Sequence, residues 1–139
     1  MTPPHERYRS FLEALTPETL DRLPNFVTPD VRFKDPFNDV RGADAMARVF
    51  RHMFANVADI RFTVRYAMSS GDAGLMAWRF EGVLGGKPWI FDGASALRFD
   101  KDGRVAEHID HWDAATEFYE RVPVIGWLLA WLRRRLAVR

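Results

Sequence analysis

The chain has no cysteine. Disulfides, thiolate nucleophiles and cysteine-based zinc or iron–sulfur sites are therefore excluded. The lack fits a reducing compartment, and a cytoplasmic protein is the expectation. Neither sign of charge dominates: 20 Lys and Arg stand against 19 Asp and Glu, a net charge of +1. No global field favours nucleic acid, so no nucleic-acid partner is expected. Long apolar runs are missing too, and no spanning helix is expected. The opening Met1-Thr2-Pro3-Pro4-His5-Glu6-Arg7 is polar and charged, unlike a signal peptide. His5, His52, His108 and His111 show no zinc-binding spacing, and there is no P-loop or Gly-x-Gly-x-x-Gly. Neither a metal nor a cofactor is expected.

Aromatic carbon is abundant. The 139 residues are 47% hydrophobic and 14% aromatic, with eleven Phe and five Trp. That length suits one domain, 1–139, and no linker or repeat divides it. Large rings bury area, and they also line pockets for apolar ligands.

The spacing of Tyr8, Phe11, Leu12 and Leu15 predicts a helix over roughly residues 5 to 15. Thr16-Pro17-Glu18 restarts a short helix through about Leu23, closed by Pro24 and Pro29. Val31 to Asp35 is a short strand, and Asn38 to Gly42 a loop. Met46, Val49, Phe50, Met53, Phe54 and Val57 mark a long third helix. After Ala58 the apolar period falls to two. Strands follow over Ile60–Met68, Met76–Glu81, Trp89–Phe99 and Arg104–Asp113, separated by glycine-rich turns. Four such strands make a curved antiparallel sheet with helices at one end, an α+β fold. The remainder, 114–139, is a helical extension, with Asp113 as a cap and a helix from Val124 to Val138.

Two local patterns then stand out. One is Val31-Arg32-Phe33-Lys34-Asp35-Pro36-Phe37, with Gly42 before the third helix. The other is Leu97-Arg98-Phe99-Asp100-Lys101-Asp102-Gly103-Arg104-Val105, leading to His108-Ile109-Asp110-His111-Trp112. With the element order, these resemble the SnoaL-like polyketide cyclase and ketosteroid isomerase-like branch of the nuclear transport factor 2-like superfamily over about residues 5 to 120. The resemblance implies a mostly antiparallel sheet wrapped around N-terminal helices to form a cone-shaped pocket, the cystatin-like α+β barrel. It implies a proton-moving carboxylate at Asp35. Phe11 falls where those isomerases keep an oxyanion-hole tyrosine, and Ser95 where they keep a protonated aspartic acid. With both donors altered, the resemblance implies the isomerase's shape rather than its steroid chemistry.

Alternation puts His108, Asp110 and Trp112 on one face of the last strand. The resemblance turns that face into the pocket, so Asp110 and His108 stand in for the missing donors. Catalytic candidates are thus Asp35 as general base and Asp110, aided by His108, as acid or hydrogen-bond donor. Substrate-binding candidates are Phe11, Phe33, Trp78, Phe80, Phe91, Ser95, Leu97 and Trp112. A carboxylate in such a wall loses solvation, which raises its pKa. Plain alternatives stand beside each. Asp35 precedes Pro36 and can cap a turn. Asp110 and His108 can form a buried pair that satisfies itself, and Ser95 can be mere lining. Epoxide hydrolases of this fold use an Asp–Arg–Asp set, but parity puts Arg98 on the face opposite Ser95.

The expected function is a cofactor-free acid–base enzyme, of isomerase, cyclase or hydrolase type. Its substrate would be a hydrophobic carbonyl, epoxide or polyketide-like compound. The alternatives are a non-catalytic module binding a hydrophobic small ligand, and a domain whose sheet serves a protein partner. Ala77, Arg79, Ala94, Ala96 and Arg98 lie on the outer sheet face, where a homodimer is expected. The C-terminal helix is apolar on nearly all sides. Closing the pocket or packing on a partner subunit is its plain reading; a weak peripheral membrane contact through Trp127, Trp131 and the arginines is the other.

Overall fold

The computed structural model describes residues 2–137. Helix α1, Pro4–Glu13, starts on a proline and buries Tyr8, Phe11 and Leu12. It stops short of the expected residue 15, because Pro17 disfavours helical geometry at Thr16. The restart is a 3-10 segment, Thr19–Asn25, with Pro24 inside it. Thr16 and Thr19 trade backbone-to-hydroxyl bonds of 2.8 and 3.1 Å to set its entry.

Strand β1, Val27–Lys34, begins ahead of the expected Val31. Its first part holds Pro29, tolerated because the pairing register breaks between Val27 and Arg32. The run expected as a loop contains a three-residue strand, β2, Asp39–Arg41, antiparallel to β1. Arg32 clamps Asp39 across this hairpin through bonds of 3.0 and 2.9 Å. Gly42, at φ 101°, then turns the chain into α2, Ala43–Asn56.

The meander follows as β3, Ala58–Ser70; β4, Ala73–Leu84; β5, Lys87–Phe99; and β6, Val105–His111. The six strands are ordered β2-β1-β6-β5-β4-β3 in one curved, unclosed sheet. All neighbours are antiparallel except β1 and β6. Buried Met76, Trp78 and Phe80 alternate along β4, as Trp89, Phe91, Ser95, Leu97 and Phe99 do along β5. Phe99 faces Val105 while Arg98 faces Glu107, so Ala106 is an extra residue on β6. That bulge resets the alternation and lets both Val105 and His108 point inward.

Past the sheet, α3, Ala114–Glu117, is capped by the Asp113 side chain, which accepts from the Thr116 amide at 3.1 Å. A 3-10 turn, Tyr119–Arg121, leads to α4, Ile125–Leu136. In the single chain α4 does not close over the cavity, whose lining includes none of its residues. Within α4 only Gly126 is buried, and the helix packs chiefly on Tyr119–Arg121. Gly126 has to be glycine there, because an added Cβ would overlap the carbonyl of Glu120.

Candidate functional site

The concave side of the sheet and α2 enclose a cavity of about 560 Å³. Its walls are largely aromatic. Phe91 stacks on Trp112 at 4.3 Å and on Phe80 at 5.0 Å between ring centroids. Phe33 and Trp78 add two more rings, and Phe50 and Met53 of α2 face them. A volume and lining of this kind suit a drug-sized hydrophobic molecule.

One buried polar chain runs into this wall. Tyr8 of α1, 1% exposed, places its hydroxyl 2.6 Å from His108 Nδ1. His108 Nε2 lies 2.6 Å from Asp110 Oδ1. Ser95 Oγ donates to the same oxygen at 2.5 Å and accepts from Trp78 Nε1 at 2.9 Å. With the imidazole neutral, the proton of the phenol sets the directions. Burial and the nearby Asp110 charge push the Tyr8 phenol well above its ordinary pKa, so it stays a donor. It donates to Nδ1, which makes Nε2–H the imidazole's own donor, aimed at Asp110. Asp110 Oδ1 thus accepts two bonds and carries no proton. Oδ2 has no protein partner among the described residues, and Asp110 lines the cavity.

Asp35 also lines the cavity, at the end of β1. It caps the β1–β2 turn: Oδ1 accepts the amides of Phe37 at 2.8 Å and Asn38 at 2.7 Å, and the Asn38 side chain at 3.1 Å. So the turn cap and the cavity carboxyl are one residue. Burial raises its pKa above the ordinary carboxylate range; those hydrogen bonds oppose the rise, and the Asp110 charge adds to it.

The structure places Asp35, His108, Asp110, Phe33, Trp78, Phe80, Phe91 and Trp112 on the cavity wall. It does not place Phe11, Ser95 or Leu97 there. Phe11 turns away to stack on Phe26 at 4.2 Å; the α1 residue that reaches the polar chain is Tyr8, one helical turn earlier. Ser95 lies behind the wall, enclosed by its partners, and Leu97 sits buried in the core opposite His108. Sequence reasoning missed Tyr8, although a phenol on a buried helical stripe signals a waiting partner. It also missed the aromatic group Phe37, Phe118 and Tyr119 at the cavity's edge, whose rings meet at 5.0 to 6.1 Å. Arg98 is exposed on the outer face, away from both carboxylates. Among the described residues no group of three or more His, Asp and Glu is placed to hold a metal.

The SnoaL-like domain pattern matches residues 8–108, most of the chain. The chain belongs to the SnoaL-like domain family. No curated protein matches it. Among solved structures, a nuclear transport factor 2-like protein of unknown function from Burkholderia pseudomallei superposes with a TM-score of 0.73 at 22% identity, over 83% of this chain and 94% of that one. An epoxide hydrolase of M. tuberculosis gives 0.70 at 21%, over 94% and 96%. A putative polyketide cyclase of Xanthomonas campestris gives 0.64 at 15%, over 78% and 86%. At these identities the likeness establishes the SnoaL-like fold, which hosts several chemistries. The two patterns singled out in the sequence fall on the β1–β2 hairpin and the β5–β6 pair, where Asp35 and Asp110 stand.

Proposed function

We propose that this SnoaL-like protein is an acid–base enzyme that moves a proton within a hydrophobic carbonyl or polyketide-like substrate. The observation that carries the reading is the pair of carboxyls on one cavity wall, Asp110 with an oxygen left open to the cavity and Asp35 with its pKa raised by burial. Asp110 has both donors on Oδ1 and leaves Oδ2 to the cavity. Asp35 has a raised pKa beside it. This favours Asp110 as base and Asp35 as acid, the reverse of the roles expected from the resemblance.

The step balances without a co-reactant. Asp110 Oδ2 takes the proton from the carbon next to the carbonyl. The C–H electron pair moves into an enolate, whose oxygen accepts a hydrogen bond or proton from Asp35. In an unsaturated substrate Asp110 then returns the proton to the far carbon of the conjugated dienolate, which is isomerisation; otherwise the enolate carbon attacks a second carbonyl of the same molecule and the resulting alkoxide takes the proton, which is cyclisation. When Oδ2 is protonated, Oδ1 still accepts from His108 and Ser95, so the network need not rearrange. Burial of the charge among aromatic rings strengthens these contacts. Epoxide opening by an Asp–Arg–Asp set is less favoured, because Arg98 lies outside the cavity.

A specific observation supports a second reading. Tyr8, His108, Ser95 and Trp78 satisfy one another without a ligand, as a purely structural network does. A non-catalytic binding module is the result. The experiment uses β-tetralone as probe, with α-proton exchange in D₂O followed by NMR and binding followed by quenching of tryptophan fluorescence. Acceleration by the wild type, lost about 100-fold or more in Asp110→Asn with binding kept, supports the enzyme. Binding without exchange supports the module, and neither binding nor exchange removes both readings for this substrate class.

A further inference from the structure

We propose that α4 is a peripheral docking helix for an anionic lipid surface. Its inner side is small and already engaged: Gly126 meets the Glu120 carbonyl region, and Arg133 pairs with Glu120 at 3.0 Å. Among the described residues the opposite side is left open to solvent. Trp127 is 68% exposed, Leu128 49%, Trp131 41% and Leu132 44%. These residues recur at i, i+1, i+4 and i+5, a single stripe on a helix of 3.6 residues per turn. Apolar side chains do not stay in water at this density without an occupant.

The charge on the same helix selects that occupant. Four arginines and one glutamate lie between Tyr119 and Ala137, an excess of three positive charges. Among the described residues Arg134 and Arg135 take no carboxylate partner; Arg135 instead lies over the Trp131 ring at 5.2 Å. The α4 of a second copy carries no acidic residue to neutralise them. An anionic headgroup layer would neutralise them, with the indoles seated at the interface and the guanidinium groups reaching outward. The helix is 12 residues long, about 18 Å, so it lies on a bilayer and does not cross it. Among the described residues no helix is long and apolar enough to cross. Phe118 and Tyr119, which lead into α4, line the cavity, so a docked protein holds its apolar cavity beside the lipid. The docking itself does not depend on catalysis.

The test is co-sedimentation of the full chain with vesicles of phosphatidylglycerol and phosphatidylcholine at 1:1, and with phosphatidylcholine alone. Binding is expected to the anionic vesicles at 0.1 M salt, with a blue shift of tryptophan emission, and to weaken at 1 M salt. Neutralising a basic residue changes partitioning about fivefold, so R134Q/R135Q lowers it about 30-fold. W127A/W131A lowers it without altering the salt dependence. All four side chains are exposed, and circular dichroism checks that the variants fold. Equal binding to both vesicle types, or binding unchanged in R134Q/R135Q, overturns the proposal. So does self-association abolished by W127A/W131A, which would give the face to a second copy.

Discussion

Asp35 is pulled two ways: burial raises its pKa, and the Phe37 and Asn38 donors hold it down. The net rise has a stability consequence with a definite sign. Between the usual carboxylate pKa and the raised one, the folded state binds more protons than the unfolded state. Stability therefore falls as pH rises through that window and stays lower above it. Asp35→Asn cannot ionise, and its side-chain oxygen still accepts from the two amides. Urea unfolding from about pH 3.5 to pH 7 should show the variant gaining on the wild type as pH rises. A difference flat in pH would mean that Asp35 is not perturbed by burial. The cavity positions of Asp35, His108 and Asp110 were legible through the family resemblance, with strand parity putting His108 and Asp110 on one face. Tyr8 was not, because the resemblance set the helix phase by Phe11, and one turn of α1 separates a residue stacked on Phe26 from one bonded to His108.

At the scale of elements, the long strands and α2 announced themselves through period, while the irregularities did not. β2 is three residues inside a turn-forming run, too short for alternation to register. The bulges at Ala106 and between Val27 and Arg32 are settled by pairing partners far away in sequence. The pairing of β4 with β5 supplies a sharp test. Gly93 lies opposite Trp78, and an added Cβ would fall inside the indole ring. That lets Trp78 lie flat across β5 and reach Ser95, so an element-level contact orients the donor behind Asp110. Gly93→Ala forces the ring aside. It should destabilise the fold by about 1–3 kcal/mol in urea unfolding, the range of overpacked cores. The Trp78 indole N–H resonance should shift as its bond to Ser95 is lost. An unchanged resonance would show that the ring is not pinned by this glycine.

The whole molecule leaves its outer sheet face bare. Tyr66, Met68 and Leu75 are exposed beside Ala77, Ala94 and Ala96, with Arg65 and Arg79 both meeting Asp92 at the flank. Small alanines at the centre let another sheet come close, and the exposed side chains around them supply apolar area. The same patch presented by two copies is self-complementary about a two-fold axis, and the ion cluster lies off its centre. We propose a homodimer through this face, distinct from the α4 surface, as the sequence pattern also suggested. Light scattering after size exclusion should give twice the 16.1 kDa chain mass at micromolar concentration. Leu75→Glu places a charge in the patch and should weaken association by about 30-fold, near 2 kcal/mol. Its effect on folding should be small, because Leu75 is solvent-exposed in the single chain. A wild type that remains monomeric across concentrations removes the dimer. A dimer indifferent to Leu75→Glu moves the interface elsewhere, and the candidate left with comparable exposed apolar area is α4.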